Sequence, residues 1–321
     1  MMVTVLMATY NGAEFLAEQL DSLFAQTHLE WQLLIRDDQS TDGTVSIVKA
    51  YEAKDSRIKY LDLPGPHGSS VANFSVLFDY AYAADCTYVM FADQDDIWKA
   101  NKIADSLAFM QQQEQLNGLE EPLLMYSLLE YVDDRGSVIP VTLDVPDTLS
   151  MQMLLCENHA YGCTMILNRA LIRKVVHIPV SAENHDYWVA LVACGMGRGF
   201  LNPASLIYYR QHENNVSGNV YRNKFSARLY RYVKKVDYLL PVFIRNLNMV
   251  HTFYESYRES LPRELEGLTS GYLRAYKRSS FSLITFMLRN KLRKLGLMQS
   301  FAHYFITLQL RKRVITHLSW K

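Results

Sequence analysis

The chain has 321 residues, about half of them apolar, which is enough for one large domain or two smaller ones with real cores. Its 33 basic and 33 acidic side chains cancel overall but not locally: residues 219–321 hold 20 of the basic and 5 of the acidic ones, a net of +15, and residues 1–218 carry the opposite −15. Four widely spaced cysteines (Cys86, Cys156, Cys163, Cys194) exclude a disulfide framework or a zinc signature, and no apolar run approaches the ~20 residues of a membrane span.

Val3 to Ala8 reads as a buried first strand, with no basic n-region or cleavage site before it, so a secretory signal is not expected. Thr9-Tyr10-Asn11-Gly12 breaks it with turn chemistry, and Leu16, Leu20, Leu23 and Phe24 recur at helical spacing. Trp31 to Ile35 is a second strand ending in Arg36-Asp37-Asp38, and Ile58 to Leu63 a third. A helix spans about 70–83; free N–H groups at its start, near Asn73, make a ready anion site. Tyr88 to Ala92 forms the fourth strand and runs into Asp93-Gln94-Asp95-Asp96-Ile97-Trp98, three carboxylates in four positions; a helix follows over Lys99 to Gln115. Strands alternating with helices imply a mostly parallel α/β sheet with right-handed crossovers. In such sheets ligands bind beyond the C-terminal strand ends, where Asp37, Asp38 and the acid cluster fall. Two carboxylates one residue apart suit a hard divalent cation completed by phosphate oxygens; a solvated acidic turn capping a helix is the plainer alternative. Neither a Walker loop nor a GxGxxG fingerprint occurs, which argues against an ATPase or a dehydrogenase.

Three segments in order, Thr4-Val5-Leu6-Met7-Ala8-Thr9-Tyr10-Asn11, Leu34-Ile35-Arg36-Asp37-Asp38-Gln39-Ser40-Thr41-Asp42-Gly43-Thr44 and Asp93-Gln94-Asp95-Asp96, resemble the inverting nucleotide-sugar glycosyltransferases of family 2, which have the GT-A fold. The resemblance covers residues 1–218, and the form Asp-Gln-Asp-Asp-Ile-Trp is most similar to the bacterial rhamnosyltransferase branch, which uses dTDP-L-rhamnose to build cell-surface polysaccharides and O-antigens. It implies that Ala8, Thr9, Tyr10, Asp38, Asn73 and Asp93 surround the nucleotide sugar, with Asp38 on the N3–H of a uracil or thymine ring. It also implies that Asp95, with Asp93 beside it, holds Mg²⁺ or Mn²⁺ against the departing diphosphate.

Later in the chain, Leu123 to Leu129 reads as a strand, 147–156 as a helix, and His159 to Met165 leads into another strand through Leu167. By resemblance this region, with Gly162 and Cys163, contributes to the acceptor pocket, as do Asp96, Trp98, His185 and Trp188 around the sugar. Glu183-Asn184-His185-Asp186-Tyr187-Trp188 precedes an apolar helix. Inverting transfer needs a base for the acceptor hydroxyl, and a carboxylate desolvated among aromatics can serve; Asp186 is the expected base, with Glu183 in reserve and a helix cap as the plainer use. In Tyr208-Tyr209-Arg210-Gln211-His212, the resemblance, which often places a His or Arg here, implies that His212 is a third metal ligand and Arg210 a phosphate contact.

Residues 219–321 are expected to be mainly helical and basic, with Arg228, Arg231, Lys234, Lys235, Arg289, Lys291, Arg293 and Lys294 among tyrosines and leucines. Such helices suit an anionic membrane surface. Docking on the acidic part of the same chain or of a second subunit in a homo-oligomer is the alternative, and membrane contact is preferred because the expected acceptor, a lipid-diphosphate-linked sugar, sits there; no nucleic-acid motif accompanies these helices. The expectation is therefore two regions, a GT-A catalytic domain over 1–218 and a helical region over 219–321, in a cytoplasmic enzyme peripheral to the membrane. Its partners are a nucleotide-sugar donor and a glycan or lipid-linked acceptor. A UDP-hexose donor, a non-catalytic nucleotide- or glycan-binding protein and a sugar nucleotidyltransferase are the alternatives.

Overall fold

The computed structural model describes residues 1–141, 145–212 and 236–318 together with Trp320. A nine-stranded sheet runs in the order β3-β2-β1-β4-β8-β6-β9-β5, with β7 paired to β6. Its strands are β1 (Val3–Thr9), β2 (Trp31–Asp37), β3 (Ile58–Tyr60), β4 (Tyr88–Ala92), β5 (Ile97–Trp98), β6 (Leu123–Val132), β7 (Val138–Ile139), β8 (Met165–Asn168) and β9 (Arg198–Arg210). The first four are parallel, as alternating strands and helices dictate. Beyond β4 the sheet becomes mixed: β8 lies antiparallel between β4 and β6, and β6 and β9 are parallel to each other.

Two apolar layers cover the sheet. Alternation along β1 sends Val3, Val5 and Met7 to one face, where α1 (Leu16–Phe24), α2 (Thr44–Glu52) and α4 (Lys102–Asn117) pack, and Leu6 to the other. On that second face lie α3 (Ser70–Ala83), α5 (Met151–Leu154), α6 (Arg169–Val175) and α7 (His185–Met196). The C-terminal helices α8 (Val236–Tyr257), α9 (Arg263–Arg278), α10 (Ser280–Arg289) and α11 (Leu297–Thr316) join this second layer. Leu247, Phe253, Tyr272, Met287 and Ile306 share one apolar cluster with Trp188 and Val189 of α7, so the helical region continues the core of the sheet domain. The expected boundary at residue 218, with Arg228, Arg231, Lys234 and Lys235, lies outside the described residues. No helix among the described residues is long and apolar enough to cross a membrane.

Candidate active site

A cleft of about 1260 Å³ opens over the C-terminal ends of β1, β2 and β4 and extends to α8, α9 and α11. At its first end Ala8, Thr9, Tyr10, Asp38, His67 and Gly68 line the wall. The chain is held here by polar contacts rather than by packing. Tyr10 N–H donates to Gln94 Oε1 (2.9 Å) and Gln94 Nε2 donates back to Tyr10 O (3.0 Å), clamping the end of β1 to the acid loop. Asp38 accepts from Gly68 N–H (2.9 Å) and lies 2.9 Å from His67 Nδ1. Gly68 has φ +91°, a conformation that favours glycine. Asp42 makes the turn that follows, accepting from Thr44 N–H and Ala13 N–H. Asn73 also faces the cleft, but its amide bonds Arg36 O (2.8 Å) and Arg36 Nη1 (3.1 Å), so it ties α3 to β2.

The acid loop follows β4. Asp93, Asp95 and His212 line the cleft, with His212 Nε2 2.8 Å from Asp95 Oδ2 and its ring packed on Phe15. Burial, with the charges of Asp95 and Asp186 adding, pushes Asp93 up to about 7. Asp96 is buried behind the loop; it accepts from Arg210 N–H (3.1 Å), its Oδ2 has no partner, and burial ahead of the Asp95 and Asp93 charges raises its pKa well above the usual range. A ligand atom from each of Asp93, Asp96 and Cys163 lies within 4.8 Å of the others. Among the described residues no other such trio gathers its ligand atoms so closely. Asp93, Asp95 and His212 all line the cleft, with Asp95 and His212 in contact, and their oxygen and nitrogen donors are of the kind that suits Mg²⁺ or Mn²⁺. The set with Cys163 is set back from the cleft, since Asp96 does not line it, and its thiol, raised well above its ordinary pKa by burial, suits a hard cation poorly.

At the middle of the cleft Asp186 sits in the first turn of α7, whose N-cap is Asn184. It is no cap: its Oδ2 accepts from Gly162 N–H (2.9 Å) and its Oδ1 is buried without a partner. Burial pushes its pKa up to about 6, against the pull of the Gly162 and Tyr187 N–H groups. A Cβ on Gly162 would meet His185 Nε2 at 2.5 Å, so glycine is what lets this backbone approach. His185 stacks on Phe74 (3.9 Å), and burial holds its pKa down to about 3, leaving a neutral ring in the wall. Glu183, raised by burial to about 6, lines the same stretch.

Three expectations are corrected by this geometry. Arg210 is a brace beneath the site: Nε donates to Asp95 O (2.9 Å), Nη1 to Asp134 O (2.8 Å) and Nη2 to Glu18 Oε2 (2.5 Å), so its donors hold the acid loop instead of facing a phosphate. Trp98 and Trp188 do not line the cleft; each is 2% exposed, Trp98 in the layer below β1 and Trp188 against Phe253, because both point inward from their elements. Asp96 belongs to the support of the loop and not to the sugar pocket. Ala8, Gly162, Cys163 and His185 do line the cleft.

Sequence reasoning missed Lys102, fully buried at the start of α4, with Nζ donating to Cys163 O (2.8 Å) and lying over Trp98. Burial brings its pKa down to about 8, with Asp96 pulling it back up. The inward period of Lys102, Ile103, Ser106 and Met110 is its only signal. The far end of the cleft was missed altogether: Asn246, Tyr272, Tyr276, Lys294, Gln299 and His303 line it from the C-terminal helices.

Comparison with known proteins agrees with this architecture. Residues 4–118, from β1 to the end of α4, match the model of Glycosyl transferase family 2. WfgD of Escherichia coli, named a UDP-Glc:alpha-D-GlcNAc-diphosphoundecaprenol beta-1,3-glucosyltransferase, is 27% identical over 69% of this chain and 81% of its own. RfbG of Shigella flexneri, named a dTDP-rhamnosyl transferase, is 27% identical over 66% of this chain and 73% of its own. Among solved structures, residues 1–349 of S. aureus TarS in complex with UDP superpose with a TM-score of 0.53 at 17% identity, covering 98% of this chain and 92% of that one. The fold is GT-A-like, with a helical C-terminal region.

Proposed function

We propose that the protein, whose residues 4–118 match the model of Glycosyl transferase family 2, is a metal-dependent, inverting glycosyltransferase. It moves a sugar from a nucleoside diphosphate onto a hydroxyl of a lipid-linked or growing bacterial cell-surface glycan, and acts on the cytoplasmic side of the membrane. The observation that carries this reading is Asp186, whose free, buried Oδ1 lies in the same cleft as Asp93 and Asp95.

Asp38 accepts from the base N3–H, and Thr9 and Tyr10 flank the nucleoside. Asp93, Asp95 and His212 would hold a divalent cation, whose charge would neutralise the departing diphosphate. The acceptor oxygen attacks the anomeric carbon from the opposite face; the bond from that carbon to the diphosphate oxygen breaks, its electron pair leaving with the nucleotide, and Asp186 takes the hydroxyl proton. A raised pKa near 6 keeps Asp186 ionised at neutral pH yet basic enough to accept that proton. For the donor, the form of the acid motif favours dTDP-L-rhamnose; UDP-glucose is the second reading, since WfgD and RfbG are equally similar to this chain.

The direct test supplies UDP-glucose or dTDP-L-rhamnose, Mn²⁺ and a lipid-diphosphate N-acetylglucosamine, and follows nucleoside diphosphate release with the anomeric configuration of the product. Transfer with inversion is expected from one donor. Transfer with retention, or undiminished transfer in a metal chelator, would overturn the mechanism.

A further inference from the structure

The outer surface around residues 288–301, where α10 turns into α11, combines two features that a protein in water seldom keeps side by side. Leu288, Leu297, Met298 and Phe301 are exposed, Leu297 by 74% and Phe301 by 65%. Leu297, Phe301 and the exposed Phe305 recur at four-residue spacing, so they form one stripe along α11, opposite the face that buries Ser300, His303, Ile306 and Leu310. Between the apolar groups lie the exposed Arg289, Lys291 and Arg293. Residues 267–321 contain eleven Lys and Arg and no Asp or Glu, so no acid of this segment itself offsets them.

The same turn reaches the cleft. Lys294 Nζ pairs with Glu157 Oε2 (3.1 Å), Leu295 N–H donates to Glu157 Oε1 (2.8 Å), and Lys294, Gln299 and His303 line the far end.

We propose that the α10–α11 turn docks on an anionic lipid bilayer and seats the far end of the cleft at the membrane surface. The apolar stripe enters the headgroup boundary while the cations stay among the phosphates, the arrangement that holds amphipathic helices on membranes. A soluble polyanion would use the cations but not Leu297 and Phe301. A second copy of this chain, facing itself across a two-fold axis, would set Arg289, Lys291 and Arg293 against their own equivalents. The docking deepens the proposed function, because it delivers a membrane-borne acceptor to the end of the cleft opposite Asp38; the binding itself needs no substrate.

The test is flotation of the full chain with vesicles of phosphatidylcholine alone or mixed with phosphatidylglycerol. The protein is expected to float with the mixed vesicles at low salt, weakly with phosphatidylcholine alone, and less as salt rises. The double variant Leu297→Glu/Phe301→Glu, altered only at exposed positions, should lose about tenfold or more of the binding, as should Lys291→Glu/Arg293→Glu. An unchanged melting temperature and far-ultraviolet circular dichroism establish that each variant is folded. Absence of flotation at low salt, or flotation unaltered in both variants, overturns the docking. So does a dimer that becomes a monomer in Leu297→Glu/Phe301→Glu without any vesicle binding by the parent. Nucleotide-sugar binding measured on the same samples separates the two ideas: flotation without nucleotide binding keeps the docking and removes the transferase reading.

Discussion

At one end of the cleft Tyr10, Asp38 and the acid loop are fixed by hydrogen bonds that the protein makes with itself; at the other, Tyr276 Oη and His303 Nε2 are buried with no partner. The first end is preorganised, with Gln94, Gly68 and Arg210 setting where carboxylates point before any ligand arrives. The second leaves polar atoms open inside an aromatic wall, which costs stability unless a ligand's hydroxyls complete them. A nucleotide diphosphate is a constant partner and suits a rigid cradle; an acceptor suits a pocket whose donors and acceptors are still free. Asp186 lies where the two meet.

The largest effect expected across this divide is at the meeting point. Asp186→Asn keeps an oxygen for Gly162 N–H but no base, and should lower kcat by about 10²–10⁴-fold with donor KM unchanged. In the parent enzyme kcat should fall as pH drops through about 6, where Asp186 takes up a proton, and a profile flat down to pH 5 would move the base elsewhere. Asp95→Ala strikes the rigid end: a loss of about 10²–10³-fold in kcat, no longer sensitive to added Mn²⁺, is expected in steady-state assays. Arg210→Ala removes the brace without touching the cleft and should cost about 3 kcal/mol by chemical denaturation, since three hydrogen bonds of a buried guanidinium are lost, to the Asp95 and Asp134 carbonyls and to Glu18, at about 1 kcal/mol each.

Smaller changes belong to the open end. Tyr276→Phe should raise acceptor KM about fivefold, one hydrogen bond's worth, and leave donor KM alone. Because Tyr276 Oη is unpartnered in the free protein, the same change should not lower the melting temperature. Least of all is a pH effect on stability. Asp93 and Asp186 have folded-state pKa values above their unfolded ones, near 7 and 6, so their contribution is present below about pH 4 and is lost as pH rises through 6 to 7. Melting temperature followed across that range should decline modestly with pH, and Mn²⁺ should restore more of it at pH 8 than at pH 5.

The same contrast governs what could be read from residues alone. The rigid end follows from contiguous motifs: β1, α3 and β4 form where periodicity and turn chemistry put them, and Asp38, Asp93 and Asp95 reach one cleft because strand ends in a parallel sheet converge. α2 escaped because Val45, Ile47 and Val48 are β-branched and read poorly as helix, while β5 and β7 are two residues long and exist only through their partners. Neighbours in sequence misled: Trp98 stands three residues from the cleft-lining Asp95 yet packs in the core. Arg210 has the right chemistry for a phosphate, but its reach to carbonyls at Asp95 and Asp134 depends on β9 lying beside β5 and β6. The open end was illegible for the same reason, since Asn246, Tyr276 and His303 come from three helices with no motif among them.

The central claim is that the rigid end binds a nucleotide sugar together with a divalent cation. It is tested most directly by the melting temperature with UDP-glucose, UDP-N-acetylglucosamine or dTDP-L-rhamnose, each with and without Mn²⁺, for the parent and Asp38→Ala. At about a hundredfold excess over Kd, at least one nucleotide sugar should stabilise the parent by about 2.7 kcal/mol when Mn²⁺ is present. It should do so far less without the metal or in Asp38→Ala. A parent that no nucleotide sugar stabilises, or that is stabilised equally without metal and without Asp38, contradicts the account.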